Sequence, residues 1–359
     1  MRCDWQPVSR AFLMRRAARG DCQAAQVLRR LLLSARPSVD CGPDAVVRAA
    51  VGVCTANRPR MLAHCLEALG AQMLPERVEG HIVVADNEPE PNNRRLVERF
   101  AARCPLPVHY IHEPRRGIPQ ARNAVVAKCR DLNVDWVAFT DDDCWTSPVW
   151  LESLIGAAAH HKADVVYGRR DLLLPQPAPF WAPPRLTPSG YAEGQSLPYA
   201  STHNVLFAGW LIRHGPLAGM QFDERLAHGE DTDFFHRAAQ RGARIVYSHA
   251  PVVLETVAPE RTTLNYQARR AYHYGASRTR FQYRHKGLAC AVRALAIRCL
   301  LQAPVAVARL LTAPLVWPFS ALAFKHLVIK GTARLAGVAG ATAGLLGFDG
   351  NPYQSIDGY

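Results

Sequence analysis

The chain has 359 residues, 49% apolar and 20% charged, an ordinary globular composition with room for one large domain and appendages. Its ten cysteines are scattered without a Cys-x-x-Cys pair, which excludes a zinc ribbon or a redox motif and suits reduced thiols in cytoplasm. The net charge of +13 sits on the flanks: residues 259–334 hold thirteen Lys and Arg against Glu260, residues 1–48 hold nine Arg against four acids, and residues 49–258 are nearly neutral. A basic flank rich in aliphatic residues points to an anionic membrane surface ahead of nucleic acid, whose binders interleave cations with stacking aromatics.

In chain order, residues 1–45 read as a basic amphipathic helical extension, closed by Arg36-Pro37 and Gly42-Pro43, with no secretory signal pattern. Residues 46–258 alternate short β-rich runs with helical patterns, which predicts an α/β domain with a mostly parallel sheet flanked by helices. The expected strands are Ala50–Cys54, His81–Ala85, Val108–His112, Asp135–Thr140, Asp164–Tyr167 and Arg244–Tyr247. A proline-rich segment from Leu174 to Ser189 suits an ordered loop or lid. Residues 259–348 form a basic, then apolar, helical tail, and 349–359 a short C-terminal end. The runs Leu310–Phe324 and Leu335–Phe348 fall short of the roughly 18–20 apolar residues that a spanning helix needs. Helices lying in the membrane interface are therefore expected, with packing as soluble core the alternative.

Four segments carry candidate chemistry. Val134–Thr140 is an apolar β run that delivers Asp141-Asp142-Asp143 at its C-terminal end, where open parallel sheets form their ligand crevice. In an extended backbone Asp141 and Asp143 share a face, forming a hard-oxygen pair for Mg²⁺ or Mn²⁺ that also holds a diphosphate. The run Thr55-Ala56-Asn57-Arg58-Pro59 follows the first strand, with Thr55 or Asn57 placed to cap the next helix. Asp86, ending the second strand, is either a nucleoside ligand or an Asx turn. Arg122 follows a Gly117–Pro119 helix entry, within reach of a phosphate. Gly229-Glu230-Asp231 opens another helix, where acids suit the helix dipole and one carboxylate can act as a general base.

In this order the segments resemble glycosyltransferase family 2, whose members have the GT-A fold, over roughly residues 48–285. The matching residues are Thr55, Asn57 and Arg58; Asp86; Gly117, Ala121, Arg122 and Asn123; Asp141 and Asp143; Asn204; Phe222-Asp223-Glu224; and Gly229-Glu230-Asp231. The resemblance implies that Thr55, Asn57, Arg58 and Asp86 hold the nucleobase of a nucleotide-diphosphate sugar, UDP favoured. Arg122, Asp141 and Asp142 would complete the donor site, with a divalent metal on Asp143 and Asp141. Asp231 would be the catalytic base beside Glu230, in an inverting displacement. Glu255, Arg269 and Arg270 stand where the family often carries a different strand sequence, and resemble the branch that makes succinoglycan-type exopolysaccharides. With Asn204 they are the candidate acceptor residues, for a glycan or a lipid-linked oligosaccharide at the cytoplasmic face of the membrane. Competing readings are a membrane-associated scaffold on the same fold, a nucleotidyltransferase and a basic nucleic-acid-binding protein. The retained carboxylates argue against the scaffold, the Gly-Glu-Asp run and the ordered match against the nucleotidyltransferase, and the long aliphatic stretches among the basic residues against nucleic acid.

Overall fold

The computed structural model describes residues 46–173, 190–213, 219–226 and 228–348. The expected N-terminal extension, the proline-rich lid and the C-terminal end at 349–359 lie outside the described residues. The first half runs β1 (Val47–Thr55), α1 (Pro59–Gly70), β2 (Val78–Asp86), α2 (Arg94–Ala101), β3 (Val108–His112), α3 (Ile118–Asp131) and β4 (Trp136–Asp141). It continues with β5 (Cys144–Thr146), α4 (Trp150–His161), β6 (Val165–Leu173), β7 (Asn204–Ala208), α5 (Glu230–Gln240) and β8 (Ile245–Thr256).

All eight strands join one sheet in the order β3-β2-β1-β4-β7-β6-β8-β5. The first four are parallel, and each returns through a helix, as a parallel connection requires. In β1 every residue from Ala49 to Val53 is buried, because helices cover both faces of the sheet. Gly52 lets α3 approach: a Cβ there would meet Val125 and Phe139. α1 needs no side-chain cap. Pro59 opens it, and Met61, Leu62, Cys65, Leu66 and Leu69 form its buried stripe. The cap expected from Thr55 or Asn57 is not made: Asn57 turns the chain at φ 52°, and Thr55 donates its hydroxyl to Asp142.

The second half of the sheet is more mixed than a mostly parallel reading implies. β7 runs antiparallel to both β4 and β6, and β5 antiparallel to β8, while β6 and β8 are parallel. β6 and β8 also slip register between Gly168/Arg169 and Ser248/Val252. Asn204 fills that irregularity. Its amide donates to Arg169 O (2.7 Å) and Pro251 O (2.8 Å), and its Oδ1 accepts from Trp150 Nε1 (2.9 Å). Gly168 leaves the room, since a Cβ there would overlap the Asn204 amide.

The C-terminal part is helical: α6 (Leu264–Lys286), α7 (Leu288–Ile297), a π turn (Arg298–Gln302), α8 (Ala303–Val316) and α9 (Ala321–Leu345). Thr263 and Ser320 cap α6 and α9 through their hydroxyls. α6 and α9 pack with their backbones nearly touching, because Gly275, Gly340 and Gly344 have no side chain at the seam. From Leu288 to Val316 the backbone is helical for 29 residues, long and apolar enough to cross a membrane by length and composition. The apolar run read from the sequence begins only at Leu310, after Arg309, whereas the helix starts at Leu288 and continues through Arg298 and Arg309. Leu300, Leu301, Leu311 and Leu315 on this helix, with Trp317 and Phe319 in the turn after it, are 63–88% exposed.

The glycine seam is directly testable. At Gly340 a Cβ would overlap the Tyr272 carbonyl, and backbone cannot step aside as a flexible side chain can. Gly340→Val should lower the thermal unfolding midpoint in detergent, at a cost of about 1–3 kcal/mol. Gly156→Ala, in α4 with nothing within 4 Å of its Cβ position, should leave the midpoint unchanged or raise it.

Candidate active site

The sheet register builds the site. β1 lies between β2 and β4, pairing Thr55 with Asp86 and Cys54 with Asp141, so three strands end at one level. A cleft of about 1310 Å³ opens above those ends, walled by the loop after β1, the start of α3, the N-terminus of α5 and one face of α6. It is lined by Thr55, Arg58, Arg122, Asp141, Asp142, Asp143, Asp231, Glu255, Arg269 and Arg270, so ten of the residues singled out in the sequence converge.

Within the triplet the three carboxylates face different surroundings. β4 ends at Asp141 and the chain turns at Asp142 and Asp143, so the extended geometry expected to align Asp141 with Asp143 stops one residue too early. The guanidinium of Arg58 instead bridges Asp142 Oδ1 (3.1 Å) and Asp143 Oδ2 (3.4 Å), and Thr55 Oγ1 donates to Asp142 Oδ2 (2.8 Å). Arg261 reaches Asp143 Oδ2 (3.0 Å) from a short 3₁₀ turn, Pro259–Thr262. Asp142 and Asp143 are thereby buried but neutralised. The Asp141 side chain keeps 46% of its exposure at the floor of the cleft. Desolvation in that recess, with the Asp143 charge close by, pushes the Asp141 carboxyl up to about 7, against the pull of Arg122. Burial raises Asp142 to about 6, and Arg58 opposes it.

Arg122 is buried at the wall of the cleft, ion-paired with Glu230 and 4.0 Å from Asp141. It therefore bridges the start of α5 to the end of β4. Glu230 does not line the cleft: burial pushes its carboxyl up to about 7, and its side chain is spent on Arg122. Asp231, the next residue, does line it. Its Oδ1 accepts from Thr232 N (2.6 Å) and Thr232 Oγ1 (3.3 Å), and Oδ2 makes no hydrogen bond among the described residues.

Three other expected site residues lie off the cleft. Asp86 is fully buried, accepting from Asn93 N (2.9 Å), Asn93 Nδ2 (3.0 Å) and Tyr110 OH (2.8 Å), so it holds the loop rather than facing a nucleoside. Asn87 lines the cleft in its place and ties that loop to Gly117 N (2.8 Å). Asn57 is exposed and turns the backbone. Asn204 is buried in the sheet irregularity described above, away from any acceptor. Two arginines escaped the sequence reading. Arg170 donates to Glu255 Oε2 (2.7 Å), and Arg261 lies 3.4 Å from Glu255 Oε1, so Glu255 joins the ion-pair chain that runs to Asp143. Arg170 lies inside β6 and gave no local signal, whereas Arg261 follows Pro259-Glu260 just after β8.

The arrangement matches known proteins. The model of the family described as "Glycosyl transferase family 2" matches residues 50–223. A succinoglycan biosynthesis protein, ExoM of Rhizobium meliloti (strain 1021), is 34% identical over 245 residues, covering 66% of this chain and 76% of that protein. The chain belongs to glycosyltransferase family 2. A pre-mycofactocin glycosyltransferase of Mycobacterium tuberculosis (strain CDC 1551 / Oshkosh) is 32% identical over 190 residues, which are 51% of this transferase and 38% of that protein. In fold, the transferase is similar to the mannosyltransferase PcManGT from Pyrobaculum calidifontis, solved with GDP-Man and Mn²⁺. The TM-score is 0.55 at 18% identity, covering 94% of this chain and 99% of that one. The mixed sheet with its flanking helices is thus a GT-A fold.

The donor chemistry also bears on a metal. Among the described residues, no three His, Cys, Asp or Glu side chains form a closed cation cage. Asp141 and Asp143 border the cleft as hard oxygen donors; Asp141 is open, and a Mg²⁺ or Mn²⁺ shared with Asp143 would take the place that Arg58 and Arg261 hold at its Oδ2, completing its shell with water and substrate phosphates. Closed cages suit ions that stay; an open pair suits one that arrives with its diphosphate.

The ion-pair chain has a measurable role in stability. Arg58→Ala strips Asp142 of its cation while Thr55 and burial remain, so chemical denaturation should show a loss of about 3 kcal/mol. An unchanged midpoint would mean that the pair is not formed in solution.

Proposed function

We propose that this transferase moves a sugar from a nucleotide-diphosphate sugar, UDP-linked in preference, to a hydroxyl of a glycan or lipid-linked oligosaccharide in exopolysaccharide synthesis. The observation that carries this is the meeting of Asp141 and Asp231 in one cleft, held together through Arg122. The 34% identity to a succinoglycan biosynthesis protein supports the polysaccharide setting.

The reaction is a single in-line displacement. The nucleoside lies along the loop from Thr55 to Arg58 and beside Asn87 and Gly117, and the diphosphate over Asp141. Bound at Asp141 and Asp143, Mg²⁺ or Mn²⁺ would neutralise charge on the departing diphosphate. Asp231 takes the acceptor hydroxyl proton at Oδ2, the carboxylate oxygen with no hydrogen bond among the described residues. As that proton leaves, the hydroxyl oxygen attacks the anomeric carbon, and the bond to the diphosphate breaks on the opposite face. Glu230 balances the Arg122 charge, so the guanidinium fixes the spacing of β4 and α5 rather than competing for Asp231.

Asp231→Asn should lower kcat by about 10²–10⁴-fold while nucleotide-sugar binding by calorimetry persists. Normal turnover would remove Asp231 as the base. Asp143→Ala should abolish the dependence of donor binding on Mg²⁺ or Mn²⁺, read in the same calorimeter.

The helices from 288 to 348 attach the chain to the cytoplasmic face of the membrane, as a peripheral or monotopic protein. Their exposed leucines and the thirteen basic residues of 259–334 support this reading. Leu300→Asp with Leu311→Asp alters only exposed side chains, so it should move protein from the membrane fraction to the soluble one without shifting the thermal midpoint. Equal partition of variant and wild type would count against attachment through this face.

A further inference from the structure

Two arginines meet at one oxygen of Asp143, and they hold it on unequal terms. Arg58 Nη1 lies 3.4 Å from Oδ2 but 3.1 Å from Asp142 Oδ1, so its nearer partner is Asp142. Arg261 Nη1 lies 3.0 Å from the same Oδ2 and 3.4 Å from Glu255 Oε1, so its nearer partner is Asp143. Glu255 has a closer cation of its own, because Arg170 Nη1 reaches its other oxygen at 2.7 Å. A cation entering at Asp143 Oδ2 would leave Arg58 on Asp142 and Glu255 on Arg170. Arg261 alone would lose its main partner.

The strands explain why one nitrogen can stand between these two carboxylates. Glu255 on β8 is paired with Cys144 on β5, and Thr256 N donates to Asp143 O (2.8 Å), so Glu255 and Asp143 sit side by side. The backbone that carries Arg261 is fixed. Its N–H donates to Ala258 O (3.0 Å), and its carbonyl accepts from Gln267 Nε2 of α6 (2.7 Å). Release from Asp143 is therefore a movement of the side chain alone, and Arg261, Arg58, Asp141 and Asp143 all line the cleft. Charge sets the order of events. Asp143 is buried, and a buried carboxylate stripped of its cation is costly, so Arg261 is held there while the cleft is empty of ligands. A divalent ion entering alone would exchange one cation for another and strand the guanidinium beside it. A diphosphate in the same cleft removes that cost, because the planar fork of an arginine suits phosphate oxygens as well as carboxylates.

We propose that Arg261 is a stand-in cation that makes metal entry depend on the nucleotide. It occupies Asp143 Oδ2 in the free enzyme, yields that place to Mg²⁺ or Mn²⁺, and pairs with the nucleoside diphosphate instead. This deepens the glycosyl-transfer reading and rests on it. Metal and nucleotide are then coupled through the side chain as well as through their own contact, and each raises the affinity of the other by the same factor. The free enzyme holds little metal, which leaves the cleft to the ion that arrives with a donor.

The test counts free Mn²⁺ by electron paramagnetic resonance over the full chain in neutral detergent, without nucleotide and then with UDP or GDP. Arg261→Gln should bind Mn²⁺ alone about tenfold more tightly than wild type. At saturating Mn²⁺ the same variant should bind the nucleotide about tenfold more weakly, read by calorimetry. The opposite signs are the signature of a stand-in; an arginine that only holds phosphate would leave the affinity for Mn²⁺ alone unchanged. Arg269 also lines the cleft but makes no ion pair with Asp143 among the described residues, so Arg269→Gln controls for the loss of one positive charge and should leave Mn²⁺ affinity unchanged. Mn²⁺ should also raise the thermal midpoint of Arg261→Gln by more than that of wild type, since it replaces the missing cation. Arg261→Lys keeps the charge without the fork and should fall between the two in both titrations; it carries the test if the Gln variant does not fold. Equal affinity for Mn²⁺ alone in wild type and Arg261→Gln overturns the proposal, as does an equal gain in Arg269→Gln. Nucleotide binding in the same samples leaves the transfer reading standing in either case. If wild type binds neither UDP nor GDP with Mn²⁺ present, both fall.

Discussion

Three consecutive carboxylates at the end of a buried strand repel one another, and desolvation raises the cost of charging each. Asp141, Asp142 and Asp143 persist in this fold because cations from distant parts of the chain meet there. Arg58 comes from the loop after β1, Arg261 from the turn after β8, and Arg122 from α3. Each of these arginines also anchors its own element. The convergence of the cleft walls and the neutralisation of the strand end are therefore the same set of contacts. Asp141 is the exception, with Arg122 no closer than 4.0 Å. It is also the carboxylate left open to the cleft.

The same economy appears around Asp231. The residue before it, Glu230, takes the charge of Arg122, and Asp233 on the next stretch of α5 accepts from His285 (3.0 Å) and Arg237 (2.7 Å). Asp231 alone of the first-turn acids lines the cleft. α5 is thus fastened on one side to the sheet and on the other to α6, with its cleft-facing carboxylate between the two fastenings.

Much of this was legible beforehand, for identifiable reasons. β1, β2 and β4 announce themselves as apolar runs, and the ordered motifs single out Asp141 and Asp231, which line one cleft. β5 is three residues long with Trp145 exposed, too short for a pattern. The antiparallel direction of β7 depends on its partners rather than on Asn-Val-Leu-Phe-Ala itself. Side-chain partners were the hardest to foresee. Nothing local in Asp86 tells that Tyr110 and Asn93 will consume it, nor in Asn204 that it will clamp a register slip. Such residues resemble ligands in sequence because both roles need a polar group at a strand end.

α6 belongs to two structures at once. One face lines the cleft, and the other is locked to α9 by glycines that allow no slack. At 1.5 Å per residue its 23 residues make a rod of about 35 Å. One end lies beside the carboxylates and the other joins the apolar helices. Such a rod works as a ruler: it sets the distance between the carboxylates of the cleft and the exposed apolar helices. Under the proposed transfer to a lipid-linked acceptor, that spacing would select among chemically identical hydroxyls by their distance from the lipid, making chain length a determinant of which sugar is extended.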